Sequence, residues 1–342
     1  MRHPLPSIVL AVLIIFTAGL VPTAAQDNVL NVIATTTILA DVAADIGGEF
    51  VNVQPLLPVD ADTHAYQPTA DDAARLARAD LVLTVGMGYE DFLSGLIENA
   101  GVDVPVVMVS NGIEVLAYGL DHAHEDYDDE AAHDDEHLGV LGVDLDCAAE
   151  EQESQDAVDA DHAHGLCDPH VWMDPANVMI WARNIADAFA AVDPDHAADF
   201  QANADAYISE LEALNAELSA LLAEVPQDRR VLVTNHEFIS YFAHAYDFEV
   251  AATVLPAGST GAELDPRSLA ALIDVVTSEQ VGAIFAEVSA NPRLAEVIAS
   301  ETGLNVVTTL YSESLSAADG PAPTYLDLMR YNARIIVDAL AG

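Results

Sequence analysis

The chain has 342 residues and 52% of them are hydrophobic, so it is long and apolar enough for two domains with buried cores. Its formal net charge is −47, with ten arginines and no lysine, and it therefore lacks the basic surface that a nucleic-acid partner requires. The negative charge suits a protein that attracts cations, although an acidic surface adapted to high salt has the same composition.

Residues 1–25 have the features of a secretory signal peptide. Arg2 precedes an apolar run from Ile8 to Val21, and small residues follow at 23–25. The run is shorter than the roughly 20 residues of a membrane-spanning helix, so we expect cleavage after Ala25 and export. An uncleaved membrane anchor is the alternative. No cysteine stands at the cleavage point, so we expect a periplasmic or otherwise extracytoplasmic protein that is not a lipoprotein.

Residues 27–193 alternate between predicted strands and helices. The strands are short, apolar and rich in β-branched residues, and helical patterns separate them. This order is typical of βαβ units in a mostly parallel sheet and predicts an N-terminal α/β lobe. The predicted strands cover residues 29–34, 51–57, 80–86 and 104–110.

An acidic, histidine-rich segment at 121–164 interrupts this lobe. It contains 17 Asp or Glu, six His and no Arg. Because it is too polar to bury a core, we expect it to be disordered without metal. Its histidines are predicted to be secondary, weak metal sites; the alternative is a solvated insertion whose histidines have no role. These histidines are His122, His124, His133, His137, His162 and His164.

The chain has two cysteines, Cys147 and Cys167. Export favours a disulfide between them, which would contribute about 3 kcal/mol by closing the intervening loop. The alternative makes Cys167 a metal ligand beside His170.

Residues 195–225 carry the longest helical pattern of the chain, and no Gly or Pro interrupts it before Pro226. A helix of about 30 residues is roughly 45 Å long, so we predict one rigid helix that connects two lobes. Its predicted buried stripe comprises Phe200, Tyr207, Leu211, Leu214, Leu218 and Leu221.

Residues 228–342 repeat the alternation of strand and helix. Strands are predicted at 230–235, 248–255, 281–288 and 305–310, and a helix containing YLDLMRYN closes the chain. The predicted fold is therefore α/β, with two parallel-sheet α/β lobes joined by one long connecting helix.

Three histidines outside the acidic segment occupy similar local positions. His64 follows the strand 51–57, His170 stands in the turn DPHVWMDP, and His236 follows the strand 230–235. Ligands of open α/β sheets bind at the carboxyl ends of strands, so two such lobes facing one another would form a cleft for a metal ion.

These motifs, in this order, resemble the zinc/manganese solute-binding proteins of ABC transporters over essentially all of the mature chain. In that family the first two ligands lie in loops of the type DPHxYxP and DPHxW. The third opens the helix that follows the connecting helix and the next strand, and the fourth is a carboxylate before a closing YxxxMxxN helix. The corresponding helix of this chain is therefore predicted to begin at His236. Here the matching segments are DTHAYQP with His64, DPHVWMDP with His170, TNHEFISYF with His236 and TLYSESL with Glu313.

The resemblance implies a metal buried between the lobes by His64, His170, His236 and Glu313. Two departures from the family pattern are Thr63 in place of Pro and Glu313 in place of Asp. Glu287 is the alternative fourth ligand, and water is another. Three imidazoles and a carboxylate suit Zn²⁺, with Mn²⁺ as the alternative metal.

The leading functional prediction is therefore an exported, monomeric receptor that captures zinc and docks on an ABC-transporter permease, without catalytic activity. A metal-dependent hydrolase is a second reading, since Glu237 follows His236, but the chain has no HExxH motif. A third reading is an extracytoplasmic metal buffer or adhesin that serves no transporter. A permease gene next to the gene for this chain would argue against it.

Overall fold

The computed structural model describes residues 29–116, 167–255, 266–279, 281–288, 297 and 299–341. The predicted signal peptide, the acidic segment with its six histidines, and Cys147 lie outside these residues, so the predictions made for them stay predictions. Among the described residues, no helix combines the length and the apolar character that crossing a membrane requires.

The N-terminal lobe is a four-stranded parallel sheet in the order β2-β1-β3-β4, with helices packed against it. Helix α1 begins where the Thr36 hydroxyl accepts a hydrogen bond from the Leu39 amide, and it ends before Gly48, whose φ of 53° is accessible to glycine. The elements are β1 (Leu30–Ala34), α1 (Thr37–Gly47), β2 (Val51–Pro55), α2 (Ala70–Leu76), β3 (Leu81–Thr84), α3 (Asp91–Ala100), β4 (Val106–Met108) and α4 (Pro175–Val192).

The connecting helix α5 spans Ala197–Leu222 and is shorter than predicted at both ends. A 3₁₀ turn, Pro194–His196, precedes it, and the chain leaves helical geometry before Pro226. The predicted stripe is buried except at its end, where Leu222 rather than Leu221 faces the core.

The C-terminal lobe has the same topology, a parallel sheet in the order β6-β5-β7-β8. The prediction of two parallel-sheet α/β lobes and one long helix is thereby confirmed. The predicted helix at His236 begins later, at Ser240, so His236 lies in a turn. The elements are β5 (Val231–Thr234), α6 (Ser240–Tyr246), β6 (Glu249–Thr253), α7 (Pro266–Ser278), β7 (Ala283–Glu287), β8 (Asn305–Leu310) and α8 (Tyr325–Leu340).

One hydrophobic core runs through both lobes. It unites Trp172 and Trp181 of the N-terminal lobe with Phe200 of α5 and with Phe242 and Tyr325 of the C-terminal lobe. The Tyr325 hydroxyl crosses between the lobes and donates to the Trp172 carbonyl over 2.8 Å. Because the lobes share buried packing, the loops at their facing edges are held in fixed relative positions.

Candidate metal centre

His64 lies in a loop after β2 whose backbone is fixed by two carboxylates. Asp62 Oδ1 accepts hydrogen bonds from the amides of His64, over 3.0 Å, and Ala65, over 3.3 Å. Two residues beyond His64, the Tyr66 hydroxyl donates to Asp72 Oδ2 over 2.8 Å. Asp72 also caps α2, so the loop is tied to the start of that helix.

His170 is fully buried beside Asp168. Asp168 Oδ1 accepts a hydrogen bond from the His170 amide over 2.9 Å and lies 2.7 Å from His170 Nδ1. A carboxylate on Nδ1 fixes the tautomer that leaves Nε2 deprotonated and able to bind a metal. Asp168 is therefore the partner that orients the His170 ring.

The two chain ends that border residues 117–166 are bonded to one another. The Asp168 amide donates to the Leu116 carbonyl over 2.8 Å. The Tyr241 hydroxyl, from the C-terminal lobe, donates to the Asp168 carbonyl over 3.0 Å and accepts from the Leu116 amide over 3.1 Å. This junction fixes the backbone two residues before His170.

His236 is oriented in the same way by Glu287, whose Oε1 lies 2.5 Å from His236 Nδ1. Asn235 holds Glu287 in turn, because its Nδ2 donates to Glu287 Oε1 over 2.8 Å and its Oδ1 accepts from the Glu287 amide over 3.2 Å. The Ser312 hydroxyl donates to the second carboxylate oxygen. Glu287 is therefore the residue that orients the His236 ring.

Glu313 follows β8 and reaches across to the N-terminal lobe. Its Oε2 accepts from the Thr63 amide over 3.1 Å. Its Oε1 lies 3.2 Å from His64 Nε2 and 3.6 Å from His236 Nε2. Since one oxygen is committed to Thr63, Glu313 offers the other as a single donor atom.

The potential ligand atoms of His64, His170, His236 and Glu313 all lie within 4.8 Å of one another. A tetrahedral ion with bonds of about 2.1 Å places its ligand atoms about 3.4 Å apart, close to the two Glu313 distances above. Nε2 of His170 and Nε2 of His236 are buried and form no hydrogen bond with any described residue. Buried polar atoms without such bonds are costly unless an ion or ligand satisfies them.

The charges of the centre are mutually stabilising in the metal-free protein. Burial lowers the pKa of the His236 imidazole, but the carboxylates of Glu287 and Glu313 outweigh that effect and raise the pKa to about 9. Burial raises the pKa of the Glu313 carboxyl, but the hydrogen bond with His64 and the charges of the three histidines lower it to about 2. At neutral pH Glu313 is therefore ionised and ready to bind a cation.

Tyr89 forms an aromatic wall that the sequence did not reveal. Its ring centroid lies 5.8 Å from that of His64, 5.8 Å from that of His170 and 5.0 Å from that of Trp172. Its hydroxyl accepts a hydrogen bond from Thr63 Oγ1 over 3.0 Å. The Tyr89 ring therefore makes one side of the centre apolar, and its hydroxyl contacts Thr63, the residue whose amide donates to Glu313.

The loop that carries Tyr89 needs an unusual backbone. Gly86, Met87 and Gly88 have φ values of 87°, 61° and 74°. Glu90 stabilises this loop because its carboxylate accepts from the amides of Val85, over 2.8 Å, and Gly86, over 2.9 Å. The two glycines were the only sequence signal for it.

The structure brings together His64, His170, His236 and Glu313, the four residues predicted as ligands. Glu287, the alternative ligand, lies on the far side of the His236 ring, at Nδ1. Cys167 is not part of the cluster among the described residues and packs against the main core.

The chain is similar to known proteins. The profile of a family described as ZnuA, zinc-uptake complex component A, periplasmic, matches residues 32–339. The iron-binding protein YfeA of Yersinia pestis is 30% identical over 312 residues, covering 91% of this chain and 85% of that protein. The manganese-binding lipoprotein MntA of Halalkalibacterium halodurans is 26% identical and covers 91% of this chain and 89% of its own length.

Among solved structures, the Mn-bound periplasmic metal-binding protein from Candidatus Liberibacter asiaticus is similar to this chain. Its TM-score is 0.70 at 26% identity, with 91% of this chain and 99% of that chain covered. The names of these similar proteins include zinc, iron and manganese, so the similarity establishes metal binding and leaves the choice of metal to the chemistry of the centre.

Proposed function

The chain belongs to the ZnuA family of metal-binding solute-binding proteins of ABC transporters, and we propose that the metal it captures is Zn²⁺. In this proposal His64, His170 and His236 each supply Nε2, and Glu313 supplies Oε1. The observation that carries it is that the potential ligand atoms of these four residues lie within 4.8 Å of one another at the facing edges of the two lobes.

The donor set and the way it is held favour zinc over manganese. Zinc binds tetrahedrally to nitrogen and oxygen donors, whereas manganese prefers a larger number of oxygen ligands. The Thr63 amide occupies the second oxygen of Glu313, which leaves one oxygen for the metal. Mn²⁺ is the alternative, because similar proteins are named for manganese.

The family indicates the role of the chain in transport. Its members are extracytoplasmic receptors of ABC transporters and not enzymes, so the hydrolase reading is set aside. We propose that the loaded receptor is a monomer and docks on a membrane permease. The signal-peptide pattern further leads us to propose a soluble form, although similar proteins are named lipoproteins. Intact-mass measurement of the mature protein tests this, because a lipid adduct would contradict it.

We propose that the histidines of 121–164 collect zinc weakly, and that a Cys147–Cys167 disulfide closes the end of this segment. Deletion of 121–164 should leave one tight site and remove the additional weak ones in calorimetric titrations. Loss of the tight site on deletion would contradict this division of roles.

The experiment that tests the metal assignment is a chelator competition with Zn²⁺, Mn²⁺ and Fe²⁺ on metal-free protein under anaerobic conditions. We expect one tight site and a clear preference for zinc. The Glu313→Asp variant is the informative comparison, because a shorter side chain must release either the Thr63 amide or the metal. A preference for manganese would overturn the zinc assignment, and no tight site for any metal would overturn the centre itself.

A further inference from the structure

Two amides of the loop that carries His64 donate to adjacent residues of the C-terminal lobe. The Thr63 amide donates to Glu313 Oε2 over 3.1 Å, and the Asp60 amide donates to Ser314 Oγ over 3.0 Å. Asp60 lies in a turn with a φ of 61°, a conformation that Asp adopts more readily than most side chains. The loop is therefore attached to the opposite lobe at two points, and Ser314 is the one that is not a proposed ligand.

Ser314 is also bonded to the start of α1. The Thr37 hydroxyl donates to Ser314 Oγ over 3.3 Å, and Thr37 Oγ1 accepts from the Leu315 amide over 2.9 Å. The Ser314 hydroxyl donates to the Leu315 carbonyl over 2.9 Å. Ser314 Oγ thus accepts from two separate segments of the N-terminal lobe, and the residue is 7% exposed. A hydroxyl network that is shielded from water in this way holds its members firmly.

His64 is the most exposed of the four proposed ligands. Its side chain is 6% exposed, against 3% for Glu313 and 0% for His170 and His236. The side of the centre next to solvent is therefore the His64 side. Opening that side requires the His64 loop to move away from Glu313, and this movement would also break the bond from the Asp60 amide to Ser314.

We propose that Ser314 is a positioning residue, which holds the His64 loop against Glu313 and thereby sets the rate at which the bound metal leaves. This inference rests on the proposed function, because it takes His64 and Glu313 as metal ligands. A bond already formed in the metal-free protein leaves less of the loop to be ordered when the ion binds. Without the Ser314 hydroxyl, water can satisfy the amide of Asp60, which is exposed, so the loop is released while the fold persists.

Ser314→Ala removes this hydroxyl, and Ser316→Ala is the matched control. Both serines are 7% exposed. The Ser316 hydroxyl donates to the Ala317 carbonyl over 2.9 Å and accepts from the Ala322 amide over 3.0 Å, and both partners belong to the C-terminal lobe. The control therefore loses an equally buried hydroxyl whose bonds stay within one lobe. Thr37→Val, compared with Thr37→Ser, tests the same network with Ser314 in place, because only the valine lacks a hydroxyl.

The measurement is the rate of metal release. Full-length protein is loaded with one equivalent of Zn²⁺ and mixed with excess chromogenic chelator at several chelator concentrations. We expect Ser314→Ala to release zinc about tenfold faster than the parent, a factor that corresponds to about 1.4 kcal/mol and to the loss of one hydrogen bond. Thr37→Val should release zinc about threefold faster or more, whereas Ser316→Ala and Thr37→Ser should stay within about twofold of the parent.

Amide hydrogen exchange of the metal-free proteins, followed by mass spectrometry, tests the cause. We expect Ser314→Ala to exchange faster than the parent at residues 58–64 and at the parent's rate in the rest of the C-terminal and N-terminal sheets. Faster exchange throughout the C-terminal lobe would show a merely structural role and overturn the proposal.

Equal release rates for Ser314→Ala and Ser316→Ala would also overturn it. If Ser314→Ala does not fold, equal rates for the two Thr37 variants have the same meaning. A parent protein that releases its zinc within the mixing time would overturn the proposed function together with this inference. Equal rates among proteins that bind zinc tightly would overturn this inference alone.

Discussion

Replacing Glu287 by Gln should change how metal affinity depends on pH. With a pKa of about 9 for His236, a proton competes with the metal and weakens apparent affinity about 100-fold at pH 7 but only about twofold at pH 9. The wild-type affinity should therefore rise about 50-fold over this interval. In Glu287→Gln the imidazole loses its carboxylate, so its pKa falls towards the ordinary value of about 6.5 and the rise is less than about twofold.

The same substitution weakens the ligand itself. Loss of an orienting carboxylate typically costs about 10- to 100-fold in metal affinity, or about 1.4–2.7 kcal/mol. Gln still accepts the His236 Nδ1 proton and the Asn235 hydrogen bond. The variant should thus bind about 5- to 50-fold more weakly than wild type at pH 9, but about as tightly as wild type or up to about eightfold more tightly at pH 7. The two affinity curves approach or cross as the pH falls, because the proton on His236 costs the wild type far more affinity than the variant.

The measurement is a competition with one chelator, comparing both proteins at each of several pH values so that the titration of the chelator cancels. Contributions of the other site histidines are common to both proteins and also cancel. Glu217→Gln is the control, because Glu217 is exposed and pairs with Arg330 over 2.9 Å, away from the centre. Parallel curves for wild type and Glu287→Gln would refute the assignment of the competing proton to His236.

Three further predictions concern the fold and the centre. His170→Ala should weaken tight zinc binding about a thousandfold or more while circular dichroism shows the metal-free protein still folded; unchanged affinity would refute the ligand assignment. Asp41→Asn should remove a pH dependence of stability, because burial raises the pKa of the Asp41 carboxyl on α1 to about 6 in the folded protein. The wild type therefore loses up to about 3 kcal/mol of stability as pH rises from about 4 to above 6. Urea unfolding of chelator-treated protein should show this loss in the wild type alone. Tyr241→Phe should cost about 1–3 kcal/mol in the same assay, because two backbone groups lose their buried partner; no change would show that water replaces the hydroxyl.

The fold was largely predictable because its signals are local. Short apolar strands separated by amphipathic helices predicted both parallel sheets, and the boundaries differ by a few residues. One such difference was at His236, where apolar spacing suggested a helix from that residue but α6 begins at Ser240. Hydrophobic periodicity does not reveal where a turn is held by side-chain bonds, such as the 2.7 Å bond from the Thr234 hydroxyl to the His236 carbonyl.

The centre was predictable only in part, because its members are far apart in sequence. Local context singled out two histidines after strands and one in a turn, and the assignment of all four ligands, with Glu313, came from resemblance to a family. Asp168 had a local signal that was missed, since an Asp two residues before a His commonly accepts its amide hydrogen bond, as it does here. Glu287 and Tyr89 reach the centre through tertiary packing, which no short pattern encodes.

The junction of Leu116, Asp168 and Tyr241 has a consequence for how this protein can vary. In the described structure Leu116 and Asp168 are bonded to one another, so the two ends of the segment between them are held at one point. Doubling the length of a segment whose ends are held together costs only about 0.6 kcal/mol of closure entropy. A change in its length over evolution should therefore cost the metal centre nearby little stability. For the same reason, a fluorescent domain whose termini lie close together could be spliced in at this point as a reporter of metal loading, two residues from His170.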